Sequence, residues 1–580
     1  MTGLRLLLLT VAGCLLVACG RSESPADVVL VPPAETTASW SADTLLTGAH
    51  AVLTVEITAG VAGVKAGAEL RVGFPHWVYG SRDVRPPKGA EKGAYGHWYV
   101  VRTLEEPLAA GEVVRWELPS MRLPQTFGGF APLVFLDWEL LPGIEDQSLE
   151  PGPPKGLAVV APSWVEPGAP MLVGSRLEDA HGNPIAAQRN SGVAPTEPGV
   201  VSLPMQMEHE GSWTGTSQPV LVAPLEPGIE RIAWLDPHGH SGLSDGRGAP
   251  DGWFFAAVGW QFLDGVALSD HDWQLTDAEW GQLLTVTEQA NEPGLFVTLP
   301  AVETNVHGHE IAYFADAQRL AALPSKGSRD GARTIWEETD RGQPTAKVPD
   351  VLGMYTQARS EGASGADLLV ATHTSLAAHM GTGFPLASPL PANQAYEIYS
   401  AHGSSECDSC PRRVEGGDLE PGEAVGSLWD ALDAGMDFTL IAASDAHDGR
   451  PATRNWGAWP GGLTAVEVPE LTRGAVFEAI AAGNAWATTG ERTLLRVRWH
   501  ADSVQVLVVG RDIEAVEVVG DRSVVARRDA PLLGEWFTLD GLPANAWRYV
   551  RVLLPDGGRA WRGVWRPTST AAGRATSVAR

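Results

Sequence analysis

The residues best suited to chemistry in this sequence are histidines and carboxylates that lie just after apolar runs between positions 228 and 495. Imidazole and carboxylate groups bind zinc, manganese and iron and leave coordination positions open for water. The nine candidate ligands, none of which lies within a run, are His238, His240, Asp245, His271, Glu303, His373, His402, Asp445 and His447. Their types and placement predict a metal centre.

Two pairs of these ligands have the spacing i, i+2, namely His238 with His240 and Asp445 with His447. Side chains at that spacing lie on one side of an extended segment, so each pair could reach one metal ion or two adjacent ions. A single pair is a weak signal, because many such pairs are surface accidents. The placement of all nine ligands at the ends of runs is what favours a metal centre.

The elements that must position these ligands are predicted to be strands alternating with helices. The apolar runs lack polar alternation, which is typical of strands buried on both faces of a parallel sheet or barrel. The runs are IAWL (232–235), FLDGVAL (262–268), LFVTL (295–299), DLLVAT (367–372), AYEIYS (395–400), FTLIAA (438–443) and LTAVEV (463–468). Between them, Thr276 and Glu279 have the spacing of a helical capping box, and Thr472 suits an N-cap. In a parallel barrel the carboxyl ends of the strands share one face, where the ligands would meet.

The motifs that carry the nine ligands resemble, in their order, those of the PHP family, the polymerase and histidinol phosphatase domain. They are HGHSGLSDG, ALSDHDW, AVETN, THTS, YSAHGSSE and SDAHDGRP. The likeness is closer to an uncharacterised bacterial branch in which β-domains flank the metal domain, and it extends to YVRVLLPDGGRAW near the C-terminus. It implies a distorted (β/α)7 barrel that binds two or three divalent ions, zinc, manganese or iron, on the nine residues. In that scheme Glu303 is the bridging carboxylate.

The departures from the family pattern are local. THTS stands where this branch often has two adjacent histidines, so His379 could replace His373 as a ligand. Glu303 is followed by Thr-Asn where an aromatic residue is usual, and an unusual CDSC insert follows Glu406.

Four further polar residues are candidates for roles beside the metal ions. Asp236 and Asp270 flank ligands and are expected to orient histidines, with turn capping as the alternative. Asp270 and His309 are also predicted to be catalytic, although His309 could equally be a hydrogen-bonded structural histidine. Arg450 is predicted to bind the phosphate or another anion of a substrate, with a surface ion pair as the alternative.

The whole chain is predicted to be a multidomain protein of the α/β plus β class, attached to the membrane through an N-terminal tether. The predicted division is a lipoprotein signal peptide at 1–18, a flexible tether at 19–45, β-sandwich modules at 46–225, the metal-dependent barrel at 228–495, a small β-domain at 496–567 and a disordered tail at 568–580.

The first twenty residues resemble a bacterial lipoprotein signal. The apolar run is too short to span a bilayer comfortably and ends in Leu-Val-Ala-Cys, so Cys19 is predicted to be acylated. Gly20 rather than Asp follows it, which favours the outer membrane of the cell envelope. In that oxidising compartment Cys407 and Cys410 are predicted to form a local disulfide, with a redox-active pair or a zinc site as alternatives.

Charge and site chemistry together define the expected function. The net charge is −28, from 70 acidic and 42 basic residues, and no run of Lys or Arg is present, so nucleic acid is not an expected partner. The sequence predicts a multi-metal hydrolase, first of all a phosphoesterase, that acts on a small-molecule or phosphoester substrate and meets the membrane only through its lipid. The alternatives are an amide or lactone hydrolase and a lipid-anchored binding protein with a structural metal site.

Overall fold

Strands dominate the structure, a computed structural model in which 44% of the chain is strand and 10% is helix. The residues it describes are 34–74, 87–92, 98–126, 128–272, 274–305, 309–318, 368–373, 375–376, 394–414, 426–452 and 459–567. The predicted signal peptide, the lipidation site at Cys19, the alternative ligand His379 and the C-terminal tail lie outside these residues.

A first β-module is built from short strands whose buried and exposed residues alternate. Its strands are β1 Thr37–Ala42, β2 His50–Ala51, β3 Leu53–Thr58, β4 Glu69–Phe74, β5 Glu91–Lys92, β6 Trp98–Thr103, β7 Val113–Glu117, β8 Met121–Arg122, β9 Gly128–Phe130, β10 Leu133–Leu136, β11 Glu139–Leu140 and β12 Gln147–Leu149. An antiparallel sheet in the order β1-β3-β7 and another in the order β11-β10-β4-β6-β5 enclose one core. Val55 and Val72 are fully buried there, one from each sheet.

A second β-module follows directly. Its strands are β13 Gly156–Val160, β14 Trp164–Val165, β15 Pro170–Glu178, β16 Pro184–Val193, β17 Gly199–Val201, β18 Pro204–Glu208, β19 Ser212–Thr216 and β20 Val220–Val222. Sheets in the orders β13-β15-β16 and β14-β20-β17 contribute to a small core that includes Val159, Val173 and Val220.

The remaining strands form the region that carries the candidate ligands and the C-terminal part. They are β21 Arg231–Asp236, β22 Gly265–Val266, β23 Val297–Thr298, β24 Ala301–Asn305, β25 His309–Phe314, β26 Leu368–Thr372, β27 Gln394–Ser400, β28 Gly403–Ser404, β29 Thr439–Ala442, β30 Leu463–Val468, β31 Ala485–Thr488, β32 Leu494–Trp499, β33 Ser503–Val509, β34 Ala515–Gly520, β35 Ser523–Asp529, β36 Phe537–Asp540, β37 Arg548–Leu553 and β38 Arg559–Trp565. The described α-helices are α1 Pro250–Phe255, α2 Asp277–Ala290, α3 Leu428–Asp433 and α4 Arg473–Ala481. A π-helical turn, Ala256–Trp260, continues α1.

The predicted (β/α)7 barrel is wrong. The strands lie in a nine-stranded sheet, β23-β22-β21-β30-β31-β38-β37-β34-β35, and a six-stranded sheet, β24-β25-β26-β27-β28 with β29 beside β27. Antiparallel pairs interrupt both sheets, since β30 runs against β21 and β24, β25 and β26 alternate in direction. Antiparallel neighbours need only short connections, so crossover helices are not required between them. An apolar run indicates that a strand is buried on both faces, but it does not indicate whether the adjacent strand is parallel or antiparallel.

Two local sets of parallel strands nevertheless end on the same side, where the parallel bridges Gly239–Ala446 and His271–Glu303 join the segments that follow them. β21, β22 and β23 are parallel within the first sheet, and β26, β27 and β29 are parallel within the second. Each of the seven apolar runs contains one of these strands or β30. The ligand-bearing loops therefore converge although the strands do not close into a barrel.

The C-terminal part shares a sheet with the metal region, because β38 pairs with β31. A buried charge cluster strengthens this connection: Glu406, just after β28, receives hydrogen bonds from Arg551 Nη1 at 2.7 Å and Tyr549 Oη at 2.6 Å, and a further one from Arg559. Next to it the structure joins Cys407 and Cys410 in a disulfide. The segment after β27 is thus held by the C-terminal strands.

Local helix signals in the sequence are confirmed. Thr276 caps α2, its side chain accepting from the backbone N–H of Glu279 while the Glu279 carboxylate accepts from Thr276 N at 2.9 Å. Thr472 caps α4 by accepting from Ala475 N at 3.2 Å. Among the described helices, none is long and apolar enough to span a membrane.

Candidate metal centre

All nine predicted ligands lie together, and His309 joins them. Their donor atoms form five overlapping groups in which every atom lies within 4.8 Å of the others. The groups are His240, Asp245, His271 and His447; His238, Glu303 and His373; His238, His240 and Asp445; His271, Glu303 and His309; and His373, His402 and Asp445. Because the groups share members, they form one continuous cluster in which each group could hold a metal ion.

The two i, i+2 pairs lie side by side at the ends of β21 and β29. Gly239 and Ala446 form a parallel bridge. His240 N donates to Ala446 O at 2.8 Å, and Asp445 N donates to His238 O at 2.9 Å. These backbone bonds bring both pairs into the same cluster, as their spacing predicted.

Tight backbone geometry supports these pairs. A Cβ on Gly239 would lie 2.6 Å from Cζ2 of the buried Trp253, so only glycine fits between the two histidines without a shift. Asp445 has φ of +52°, a left-handed conformation that costs most residues free energy but that Asp tolerates better than most. The strain coincides with the carboxylate that contacts the largest number of candidate ligands.

The facing nitrogen and oxygen atoms fit a divalent metal. Nε2 of His238 lies 3.1 Å from Nε2 of His240, and Nε2 of His240 lies 3.0 Å from Oε2 of Glu303. Two imidazole lone pairs at that distance repel each other unless a cation or a proton lies between them. Oδ1 of Asp445 lies 3.2 Å from His240 Nε2, and Oδ1 of Asp245 lies 3.2 Å from His447 Nε2. Nitrogen and oxygen donors that converge in this way could hold a metal ion.

The electrostatics of the cluster point in the same direction. Burial alone would lower the pKa of His238, but the carboxylates of Asp445 and Glu397 raise it to about 9. Burial would raise the pKa of Asp445, yet the imidazoles of His238 and His373 hold it well below its usual range. At neutral pH without metal, His238 therefore carries a second proton, which metal binding must displace.

Glu303 lies at the centre of the cluster, after the run that contains β23 as predicted, and within the next strand, β24. Its Oε2 lies 3.2 Å from His238 Nε2 and 3.3 Å from His271 Nδ1, while its other oxygen contacts His309 Nδ1 at the start of β25. A carboxylate that contacts three imidazoles in this way could bridge neighbouring metal ions. His309, predicted as catalytic, is thus held beside the cluster and is also a candidate ligand.

Asp236 and Asp270 orient the loops that carry ligands. Asp236 accepts hydrogen bonds from Ser444 N at 2.8 Å and from Ala452 N at 2.6 Å, which ties the end of β21 to the loop of Asp445. Burial raises the pKa of Asp236 to about 6, against the opposing effect of the bonds from Ser444.

Asp270 was predicted to be catalytic, and the hydrogen bonds that the structure describes for it are with a neighbouring loop. Its carboxylate accepts from Ser241 N and Oγ, both at 2.8 Å, and from Ser244 N at 3.2 Å. It therefore shapes the loop between His240 and Asp245.

Arg450, predicted to bind a substrate anion, connects the metal region to the second β-module. It is 3% exposed, and its Nη1 donates to Asn183 Oδ1 at 2.9 Å and to Gly182 O at 3.2 Å. Its Nη2 lies 3.7 Å from Asp448. These contacts give it an anchoring position between the modules.

Sequence reasoning missed Glu397, which contacts two ligands from within β27. Its oxygens lie 2.9 Å from His238 Nδ1 and 2.6 Å from His373 Nδ1. The available signal was a carboxylate in the otherwise apolar run AYEIYS, since a charge at such a buried position needs a partner.

Access to the cluster is uneven. The side chains of His402, Asp245 and His309 are 28%, 18% and 16% exposed, whereas His238 and His240 are fully buried. Solvent therefore reaches the cluster at its edge and not at its centre.

No family model and no curated protein sequence matches this chain. Among solved structures, an Escherichia coli adhesin is 12% identical over 36% of this chain and 72% of its own, with a TM-score of 0.18. A putative membrane anchored protein from Corynebacterium diphtheriae is 11% identical over 35% of this chain and 58% of its own, with a TM-score of 0.12. A calcium binding mutant of Bacteroides uniformis beta-glucuronidase 2 is 9% identical over 92% of this chain and 60% of its own, with a TM-score of 0.16. TM-scores this low carry no argument about fold or function.

Proposed function

We propose that this chain is a metal-dependent hydrolase of phosphoesters. The observation that carries the proposal is the convergence of ten imidazole and carboxylate side chains into overlapping groups that could each hold an ion. A structural metal site is usually closed by four ligands, so this number of ligands favours a catalytic centre. The likeness of the ligand motifs to those of the PHP family supports phosphoesters as the substrate class.

The proposed chemistry assigns separate tasks to the side chains. Divalent ions, when bound, lower the pKa of coordinated water and stabilise charge on phosphoester oxygens. Glu303 contacts three ligand histidines at once and would hold neighbouring ions at a fixed separation. His309, partly exposed and paired through Nδ1 with Glu303, is the proposed carrier of a proton to or from the substrate.

We further propose that acylated Cys19 anchors the protein at the bacterial envelope, with the β-modules between the lipid and the metal region. This rests on the lipoprotein-like ending of the first segment and on the position of the modules in the chain. A substrate would then be met outside the cytoplasm.

The proposal is tested by metal content and hydrolysis measured on one preparation. Protein from residue 20 onward is analysed by elemental mass spectrometry and assayed with a chromogenic phosphoester after addition of zinc or manganese. We expect two or three equivalents of metal and turnover that a chelator abolishes. His240→Ala should lose turnover and at least one equivalent of metal, while the exposed His500→Ala should lose neither.

Two results would contradict the proposal. Less than one equivalent of metal after reconstitution would rule out a multi-metal centre. Full metal content with no hydrolysis of phosphoesters, but with hydrolysis of an amide or lactone, would reassign the substrate class.

A further inference from the structure

Glu397 contacts two candidate ligands at once from the middle of β27. Its Oε2 lies 2.9 Å from His238 Nδ1, and its Oε1 lies 2.6 Å from His373 Nδ1. The residue is 2% exposed. Since His238 follows β21 and His373 follows β26, this one carboxylate joins ligands from the two sheets that meet at the cluster.

The hydrogen bonds fix the state of both imidazole rings. An ionised carboxylate only accepts hydrogen bonds, so each Nδ1 carries a proton and the second nitrogen, Nε2, is the atom left for a metal ion. Those Nε2 atoms face the cluster: His238 Nε2 lies 3.2 Å from Glu303 Oε2, and His373 Nε2 lies 3.3 Å from Asp445 Oδ2. Glu397 thus selects the tautomer that a metal requires and holds both rings in the required direction.

We propose that Glu397 is a positioning residue that couples two metal positions by orienting His238 and His373 together. The proposal rests on the proposed metal-dependent function. A carboxylate on the far nitrogen of a ligand histidine raises the basicity of that ligand, and its loss typically weakens metal binding ten- to a hundredfold. Here one substitution removes that support from two ligands.

The overlapping groups predict an unequal effect on the metal positions. His238 and His373 belong to three of the five groups. The other two groups contain neither of them: one is His240, Asp245, His271 and His447, and the other is His271, Glu303 and His309. Loss of Glu397 should therefore weaken binding in the groups that contain His238 or His373 and leave binding in the other two groups close to normal.

The test is zinc binding to Glu397→Gln, measured by competition with a chelator and by the absorption spectrum after cobalt substitution. Glutamine has nearly the same shape, but its amide nitrogen cannot accept the second Nδ1–H. We expect zinc affinity to fall ten- to a hundredfold for part of the bound metal, with the rest unchanged and an altered cobalt spectrum. Tyr396→Phe is the matched control, because Tyr396 is the neighbour in β27 and its hydroxyl bonds Ser405 O at 3.0 Å.

Glu397→Asp is the second variant in case the glutamine variant does not fold. It keeps the buried charge, but its side chain is one methylene shorter and cannot span both rings, so binding should weaken at one position. The proposal is overturned if either folded variant binds zinc with the affinities and cobalt spectrum of the unaltered protein. It is also overturned if neither variant folds while Tyr396→Phe does, because Glu397 would then serve the fold.

The unaltered protein separates this inference from the proposed function. If it binds zinc but hydrolyses no phosphoester, the function is wrong while the zinc affinities of the variants still decide the role of Glu397. If it binds no zinc, both are wrong.

Discussion

Replacement of Asp445 by asparagine is the most informative single change in the cluster. Its Oδ2 lies 2.9 Å from His402 Nε2 and 3.3 Å from His373 Nε2, and its Oδ1 lies 3.2 Å from His240 Nε2. Asparagine has nearly the same volume and tolerates the left-handed backbone at this position, so the fold should survive. What changes is the loss of one negative charge and one ligand oxygen from two of the five groups.

The expected magnitude follows from ligand linkage. Metal held at a hundred times its Kd stabilises the folded protein by about 2.7 kcal/mol. If Asp445→Asn raises the Kd about a hundredfold, the same metal concentration contributes only about 0.4 kcal/mol. The metal region and the C-terminal strands share one sheet and form a unit of roughly 340 residues, for which the difference of about 2.3 kcal/mol makes the metal-induced rise in Tm smaller by roughly 3 °C.

The assay is calorimetric melting of the unaltered protein and the variant, each with zinc and with a chelator. Asp448→Asn is the control in the same loop: its carboxylate accepts from Thr126 Oγ1 at 3.2 Å and from Arg450 N at 3.2 Å. Its own stability can change, but its metal-induced rise in Tm should match that of the unaltered protein. An Asp445→Asn variant with the full metal-induced rise would refute the reasoning, because Asp445 could then not be a ligand.

Three further changes test the surrounding structure. Burial would raise the pKa of Glu467, but Arg562 and Arg496 lower it from 4.5 to about 2. The ionised carboxylate therefore stabilises the fold fully above pH 4.5, and this stabilisation is lost as the pH falls towards 2. Urea unfolding should show Glu467→Gln to be about 3 kcal/mol less stable at pH 7 and about half that at pH 3; an equal deficit at both would contradict the pairing. Gly239→Ala should cost about 1–3 kcal/mol, since its Cβ meets Trp253, and a melting curve unchanged from the unaltered protein would argue against that contact. Thr276→Ala should cost about 1 kcal/mol in urea unfolding through loss of the cap of α2, whereas Thr276→Ser should cost little.

The positions of strands and ligands could be predicted from the sequence because both are local. Each apolar run contains a strand, and the caps at Thr276 and Thr472 depend on residues three positions apart. The ligands after β21, β26, β27 and β29 converge because the parallel sets of strands end on the same side. The i, i+2 spacing then places both pairs within reach of shared ions.

The sheet topology and the supporting contacts could not be predicted, because they depend on partners distant in sequence. The antiparallel direction of β30 relative to β21 cannot be read from their sequences, because both strands are apolar and buried. Arg450 pairs with Asn183, which is 267 positions away, and nothing near Arg450 indicates that partner. Glu397 is 159 positions from His238, so only the fold shows that one carboxylate supports two ligands.

The central claim is that the ten clustered side chains bind more than one metal ion. Anomalous X-ray diffraction at the zinc edge, on crystals of the zinc-loaded protein, tests it most directly. We expect two or three peaks within the cluster, each about 2.0–2.2 Å from ligand nitrogen or oxygen atoms. One of them should lie beside Asp245. A cluster without anomalous peaks, or zinc bound only elsewhere on the protein, would contradict it.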